Sequence, residues 1–308
     1  MKQFKNILAI APFDNQLIAQ AAGLLRSQQS KLTLFAIAPE LDDQSIEISL
    51  GKEVDLQALL EQDLRQELEA QAEALKDREF RVKTAVASGH AFIEAVRQVV
   101  SKKHDLVIML ADGVSNLREQ LFGTLSLHLM RKCPCPVWVL KPSRRRNLRN
   151  VFAAVDPIPE NPGRDKLNVE ILQRAMTIAK NHNAKLHVIH AWNTLGGELN
   201  RGKRWMTKSD IRFYVEREAE GHRKRLNQLL DSKTDGSAIV HMIQGRPGTV
   251  IPETVEKLKG DLLVMGTVCR TGIPGFFIGN TAEMILSQVD CSVLTVKPAD
   301  FVTPIKLT

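Results

Sequence analysis

The stretch DLLVMGTVCRTGIPGFFIGN (Asp261–Asn280) aligns without a gap on DLVIMLADGVSNLREQLFGT (Asp105–Thr124), at an offset of about 156 residues. The beginning of the chain repeats as well, because NILA at 6–9 matches NVFA at 150–153 at an offset of about 144 residues. A repeat of this length indicates a duplicated domain, since the units of solenoid proteins span only about 20–50 residues. The chain of 308 residues therefore predicts two copies of one domain, 1–146 and 147–308.

The composition is typical of a globular protein, with 44% apolar and 25% charged residues. No apolar run approaches the roughly 18 residues that a membrane helix needs. The first residues, MKQFKNILAIAPF, have too short an apolar stretch and no small-residue cleavage site, so we do not interpret them as a signal peptide. Four cysteines are too few for a disulfide scaffold in a chain of this length. These features predict a cytoplasmic protein without a membrane segment.

The net charge of +7 raises the question of an anionic partner. The basic residues form three clusters: Arg144-Arg145-Arg146 with Arg149, Arg201 with Lys203 and Arg204, and Arg223-Lys224-Arg225. Platforms that bind single-stranded nucleic acid need aromatic side chains, and only 5% of this chain is aromatic. We therefore favour solvated helix faces and a linker over a nucleic-acid interface.

Short apolar runs alternate with helical patterns in both halves. The runs are 6–11, 31–38, 81–87, 105–110 and 136–141 in the first half, and 150–156, 185–192, 238–244, 261–266 and 292–297 in the second. Helical spacing of apolar residues occurs at 53–78 and 209–231, with Ser209 as a candidate N-cap. Buried strands that alternate with helices indicate βαβ units and a parallel sheet. The prediction is an α/β protein with two tandem, doubly wound, five-stranded parallel-sheet domains.

Ligands of such sheets bind beyond the carboxyl ends of the strands. In the second half the loop after the fourth strand, Gly266–Asn280, is rich in glycine and ends where a helix is predicted to begin. Glycines let backbone N–H groups approach phosphate oxygens, and a helix N-terminus adds free donors. The loop therefore indicates anion binding; a glycine-rich surface loop is an equal alternative.

The sequence here resembles the universal stress proteins, and it does so twice over nearly the whole chain. It is most similar to the tandem E type, through GTVCRTGI at Gly266–Ile273 and GNTAE at Gly279–Glu283. The resemblance implies a Rossmann-like, HUP-like fold. Nucleotide-binding members carry a glycine, two residues, a second glycine, nine residues, and then glycine with Ser, Thr or Asn. The spacing is kept here, but the second glycine is Cys269. A cysteine there crowds the phosphate path and is strained if its φ is positive.

The first copy departs further from this pattern. Leu110 replaces the first glycine, although Gly113 and Gly123-Thr124 keep the other positions. The aspartate that the family places at the end of its first strand, near base and ribose, is Asp156 in the second copy and Pro12 in the first. A glycine-x-proline element is complete only at Gly245-Arg246-Pro247. The second copy is thus the better nucleotide candidate, and the first is expected to be mainly structural.

The resemblance implies a non-enzymatic stress-response protein that binds a small ligand, above all ATP or another adenine nucleotide, with or without Mg²⁺. It places Asp156 on base or ribose and the glycine loop on the phosphates, with Arg270 as a charge partner. The binding residues implied are Asp156, Gly245, Pro247, Gly266, Thr267, Arg270, Gly279, Asn280 and Thr281. Enzyme motifs such as the Walker A loop or the nucleophile elbow are absent from the sequence.

Partners are also suggested by the family, whose dimers pair through the fifth strand. The two fifth strands of this chain would then form an intramolecular pseudo-dimer, and a further homodimer is left open. A protein partner would carry the stress response. The alternative function is an interaction module without nucleotide, because the loop is apolar at Val268, Ile273, Phe276, Phe277 and Ile278.

Cysteine and histidine pairs offer two further candidates. Cys133 and Cys135 are too close together for a usual metal motif, and Cys135 aligns with Cys291, so packing is favoured. Cys269 lies near a predicted helix N-terminus, where the pKa of a thiol is lowered. A redox role and an inert substitution are therefore both left open. His187 and His190 lie three apart on one strand and therefore face opposite sides of the sheet, which disfavours a shared metal.

Overall fold

The structure, a computed structural model, groups the chain into two compact units: the first unit is built around 3–146 and 301–308, and the second around 147–271 and 278–300. It describes residues 4–14, 17, 23, 30–41, 45–48, 52–76, 81–111, 123–141, 147–157, 162–193, 207–231, 234, 236–267 and 279–306. The tail 301–306 accompanies the first unit, where Arg97 Nε donates to the Lys306 carbonyl at 3.4 Å. The predicted domain limits, 1–146 and 147–308, stay a prediction.

The first unit contains a five-stranded parallel sheet in the order β5-β2-β1-β6-β7. Its elements are β1 Asn6–Ile10, β2 Lys31–Ala38, β3 Ser45–Ile48, β4 Lys52–Asp55, α1 Leu56–Lys76, β5 Arg81–Ser88, α2 Ala91–Lys102, β6 Leu106–Leu110, α3 Thr124–Lys132 and β7 Val137–Leu140. Strands β3 and β4 form a separate antiparallel hairpin.

The second unit repeats this order as β10-β9-β8-β11-β12, again with parallel pairing. Its elements are β8 Asn150–Ala154, α4 Pro162–His182, β9 Lys185–Trp192, α5 Lys208–Asp231, β10 Ile239–Gln244, α6 Pro247–Lys257, β11 Leu262–Gly266, α7 Asn280–Leu286 and β12 Ser292–Val296. The predicted fold class, two tandem α/β domains with parallel sheets, is confirmed.

The apolar runs form these strands because the central strands are covered on both faces. Ile7, Leu8 and Ala9 of β1 are fully buried, and Leu263 and Val264 of β11 are equally inaccessible. A parallel strand with helices on both sides requires apolar residues at consecutive positions rather than at alternate ones. The continuous runs in the sequence are therefore explained by burial on two sides.

The repeated aspartate of each copy closes the amino end of its sheet. The Asp261 carboxylate accepts from the N–H groups of Arg149 at 2.7 Å and Asn150 at 2.9 Å. Asp105 binds the N–H of Asn6 in the same way, at 2.9 Å. We call this contact the aspartate clamp. The clamp joins neighbouring central strands in both copies. The fold therefore explains why these residues are repeated.

Two details of the helical prediction were wrong. Helix α1 begins at Leu56 rather than at 53, because 52–55 pair with 45–48 in the hairpin. Helix α5 is capped by Thr207 and not by Ser209. The Thr207 N–H donates to Asp210 Oδ2 at 2.8 Å, and the Asp210 N–H donates to Thr207 Oγ1 at 3.2 Å. This reciprocal pair is a capping box, which satisfies two backbone donors at once.

Candidate functional site

The carboxyl edge of the second sheet gathers most of the predicted site residues. Parallel strands end at the same edge, so the residues that follow β8, β10 and β11 lie along it. Asp156 follows β8, the Gly245–Pro247 element follows β10, and Thr267 follows β11. Arg270 and Cys269 lie outside the described residues.

Asp156 is half-buried, and its backbone is held by a side chain of α4. The Asp156 N–H donates to Asn168 Oδ1 at 2.9 Å, and Asn168 Nδ2 donates to the Asp156 carbonyl at 2.8 Å. Asn168 is itself only 4% exposed. This amide therefore supplies hydrogen bonds to the Asp156 backbone beyond the end of β8 and fixes the position of that backbone. Sequence reasoning missed Asn168; the signal available was a polar residue within the apolar face of a helix.

The neighbouring residue Val155 is fixed from the other side by β9. Its N–H donates to the Ile189 carbonyl at 3.0 Å, and its carbonyl lies 3.1 Å from His190 Nδ1. Because a carbonyl only accepts, His190 Nδ1 carries the proton and His190 Nε2 is the acceptor of a neutral ring. The partner of Nε2 is Nδ1 of His222 on α5, at 2.9 Å. His222 therefore donates through Nδ1 when both rings are neutral.

Both rings of this histidine pair are disfavoured as cations. Burial lowers the pKa of His190, which is fully inaccessible, and the pKa of His222 is lowered by burial and then by the charge of Arg225. The carboxylate of Asp156 acts in the opposite direction on both pKa values. Trp192 packs beside His222 with ring centroids 5.3 Å apart. His190 is thus a structural histidine that links Val155 to α5.

His187 faces the other side of β9, as predicted from its spacing. Its ring stacks on Phe152 with centroids 4.5 Å apart, and its Nδ1 lies 3.0 Å from His241 Nε2. Among the described residues, no group of three histidine, cysteine or acidic side chains is placed to hold a metal ion. The two histidines of β9 belong to two separate pairs.

Gly245 is required by the backbone. Its φ is +154°, and the aligned Gly89 has a φ of +135°. Both lie in a region that side chains rarely adopt. The Gly245 N–H donates to the Trp192 carbonyl at 2.8 Å, so the turn after β10 is tied to β9. Pro247 then occupies the first turn of α6, where a missing N–H costs nothing.

Gly266 lies where α4 approaches β11. A Cβ atom at this position would come within 2.9 Å of Leu167 Cδ2, so the space beside the glycine is occupied by a side chain of α4. The aligned Leu110 of the first copy is half-buried at the end of β6. Helix packing thus gives Gly266 a structural explanation that does not need a phosphate.

Thr267 and Gly279 are brought together although 268–278 lie between them. The Gly279 N–H donates to the buried Thr267 carbonyl at 3.1 Å, and the Thr267 N–H reaches the Val296 carbonyl at 3.4 Å. Asn280 and Thr281 follow as exposed residues at the start of α7. Gly248 in the first turn of α6 packs on Met284 of α7, which places the Gly245–Pro247 element beside this helix.

A cleft of about 390 Å³ runs along α4 beside this edge. It is lined by Asp165, Lys166, Leu167, Val169, Glu170, Gln173, Pro298 and Ala299. None of the predicted site residues lines it, although Leu167 is the side chain that approaches Gly266. The third basic cluster, Arg223–Arg225, is exposed on α5, as expected for a solvated helix face; the other two clusters lie mainly outside the described residues.

None of the described helices is both long and apolar enough to cross a membrane. The model of the universal stress protein family matches the chain twice, at residues 4–141 and 149–297. Universal stress protein E of Escherichia coli K12 is 30% identical over 217 residues, which cover 70% of this chain and 68% of that protein. The universal stress protein E homolog of Haemophilus influenzae is 24% identical over 307 residues, covering 96% and 98%. A solved universal stress protein structure from Pseudomonas aeruginosa UCBPP-PA14 superposes with a TM-score of 0.70 at 25% identity, covering 96% of this chain and 94% of that one.

Proposed function

The chain belongs to the universal stress protein family, as a tandem member similar to the E type, and from this premise we propose that its second half binds an adenine nucleotide, ATP above all. The protein acts in this proposal as a non-enzymatic binding protein that transmits stress resistance through a protein partner. Asp156 contacts base or ribose, and the segment around Gly266, Thr267, Gly279, Asn280 and Thr281 faces the phosphates. Mg²⁺ would be held mainly by the phosphate oxygens.

One observation carries the proposal: the amide of Asn168 holds both backbone groups of Asp156. A carboxylate at this edge can accept hydrogen bonds from ribose hydroxyls or from the donors of a base edge. A residue whose backbone is already held also loses little freedom on binding, so more of the interaction energy appears as affinity. In the first copy Pro12 stands at this place and can offer neither a carboxylate nor an N–H group.

The experiment begins with freshly purified protein, which is denatured so that released small molecules can be separated and identified by mass spectrometry. The expected result is adenine nucleotide close to one per chain. Protein that releases no nucleotide and also fails to bind added ATP with Mg²⁺ in calorimetry would exclude the proposal.

The first copy offers a matched control. Gly279 has a φ of −66° and Gly123, at the aligned position, also has −66°, so the backbone tolerates a side chain at both. Gly279→Trp should abolish nucleotide retention, whereas Gly123→Trp should leave it unchanged. Equal loss in both variants would indicate general damage rather than a site in the second half.

The alternative, an interaction module without nucleotide, is favoured by two contacts at the same edge. The N–H of Gly279 is already bound to the Thr267 carbonyl, and Leu167 occupies the space beside Gly266. Both contacts reduce the donors and the room available to a phosphate. A released apolar compound, or a protein partner that survives Gly279→Trp, is the result that this alternative predicts.

A further inference from the structure

Two buried thiols meet in the turn that connects α3 with β7. Cys133 Sγ and Cys135 Sγ are 3.5 Å apart, with only Pro134 between the two residues. Cys133 is fully buried, and Cys135 is 9% exposed. Their contact is therefore a property of the folded chain, and Cys135 is the thiol nearer to solvent.

The second copy shows that the fold does not require this pair. The offset that aligns Cys135 with Cys291 places Val289 on Cys133. Val289 is 2% exposed, so a valine fills the same buried position in the second copy. The first position of the turn is thus adequately packed by an apolar side chain. Packing alone does not explain why the first copy carries a second thiol in contact with the first.

We propose that Cys133 and Cys135 form a reversible dithiol–disulfide site that reacts with small-molecule disulfides such as oxidised glutathione. The Cys135 thiolate attacks one sulfur of glutathione disulfide, forming a mixed disulfide and releasing one glutathione thiolate. The Cys133 thiolate then attacks the Cys135 sulfur, which releases the second glutathione and leaves an intramolecular Cys133–Cys135 bond. Two protein thiols are oxidised, one glutathione disulfide is reduced, and the two protons lost by the protein thiols end on the two released glutathione thiolates.

The geometry favours the second of these steps. The sulfur atoms need to approach by only about 1.5 Å to reach the bond length of about 2.05 Å that a disulfide requires. No other thiol has to diffuse to the site, so resolution of the mixed disulfide is intramolecular.

The disulfide formed in this way would add little to the stability of the folded protein. Stabilisation by a cross-link grows with the length of the loop that it closes, and this loop contains a single intervening residue. Strained bonds between residues so close in sequence are more easily reduced than structural disulfides. We therefore expect the bond to form under oxidising conditions and to disappear when a reductant returns.

The test uses the full chain with Cys269→Ser in every protein, so that Cys291 is the remaining reference thiol. Folded protein is treated with oxidised glutathione, denatured, alkylated with N-ethylmaleimide, digested with trypsin and measured by mass spectrometry. One tryptic peptide, Cys133–Arg144, contains both thiols of the pair, and another, Thr271–Lys306, contains Cys291. The expected result is loss of both maleimide labels from the first peptide, restored by dithiothreitol, with full labelling of Cys291.

Cys133→Val supplies the sharper outcome, because the second copy already carries valine at this position. This variant should unfold at the wild-type temperature and should accumulate a stable glutathione adduct on Cys135, which the wild type resolves. Full maleimide labelling of the pair in the wild type would overturn the proposal. So would a wild-type protein that keeps the glutathione adduct, or a variant in which Cys135 gains no adduct.

Discussion

The Nε2 atom of His190 and the Nδ1 atom of His222 lie 2.9 Å apart and join β9 to α5 through one hydrogen bond between imidazoles. His190 is fully buried, and its other nitrogen binds the Val155 carbonyl at 3.1 Å. Both nitrogens of His190 are therefore used. The pair therefore links helix α5 to Val155, the residue that precedes Asp156.

Replacing His222 by phenylalanine should destabilise the protein at neutral pH. The ring volume is largely kept, but His190 Nε2 is left without a donor, which costs about 1–3 kcal/mol for a buried acceptor. Urea unfolding at pH 7.5 measures this loss. The control is Arg223→Ala on the same helix, whose ion pair with Glu220 is exposed and contributes about 0–1 kcal/mol. A His222→Phe midpoint equal to that of the control would contradict the prediction.

Acid should lower the free energy of unfolding through the His190–His222 pair. Burial lowers the pKa of both His190 and His222 in the folded state, whereas the unfolded chain takes up protons near pH 6.5. The unfolded state then binds more protons below that pH, so stability is present above it and falls as the pH falls. Arg225 opposes protonation in the folded state, while Asp156, Glu218 and the Val155 carbonyl favour it.

The measurement is the urea midpoint between pH 7.5 and 5.5 for the wild type and for the double variant His190→Phe, His222→Phe. The double variant should show a shallower decline, although its midpoint at pH 7.5 is lower. Parallel declines in the two proteins would show that other histidines, such as His187, cause the acid sensitivity.

Asn168→Leu should weaken ligand binding. The substitution removes both hydrogen bonds to the Asp156 backbone, so the residue that carries the carboxylate is no longer held in place. We expect nucleotide affinity to fall about tenfold, which corresponds to about 1.4 kcal/mol. Calorimetric titration measures it, with Gln173→Leu on the same helix as the control. Unchanged affinity in folded Asn168→Leu would contradict the prediction that Asn168 positions Asp156 for the ligand.

Gly245→Ala should cost more than Gly89→Ala, although both glycines have positive φ. A Cβ atom at Gly245 would meet Val250 Cγ1 too closely to be accommodated, whereas at Gly89 the nearest atom is Glu94 Cγ at 3.4 Å. Backbone strain of about 1–3 kcal/mol is common to both variants. In thermal unfolding, Gly245→Ala should have the lowest melting temperature. Adding Val250→Ala should raise it to that of Gly89→Ala. Failure of this rescue would mean that strain alone determines the cost.

The fold was predictable because the buried strands are continuous apolar runs, and the repeat showed which ones correspond. The hairpin at 45–55 was not, since its strands do not join the main sheet and carry no such run. The site was less accessible to sequence reasoning. Asn168 acts through the backbone of a residue twelve positions earlier, and neither apolar spacing nor glycine spacing encodes that contact.

Packing between helices also escaped prediction, because it changes in a coordinated way between the copies. In the first copy Phe92 of α2 stacks on His128 of α3, with centroids 4.6 Å apart. The aligned pair in the second copy is Gly248 and Met284, where the flexible side chain occupies the space left by the glycine. Each substitution by itself looks like a neutral change at the protein surface. Only the structure shows that the two members of a pair face each other.

The aspartate clamp also bears on how the chain is synthesised. It ties residues 99 apart in the first copy and 111 apart in the second, so each clamp closes a long crossover with a single carboxylate. The cost of closing such a loop rises only slowly with its length. Because Asp105 and Asn6 both precede residue 147, the first copy can lock its central strands while the ribosome is still translating the second. Duplication thus produced two halves that each carry their own closing contact between central strands.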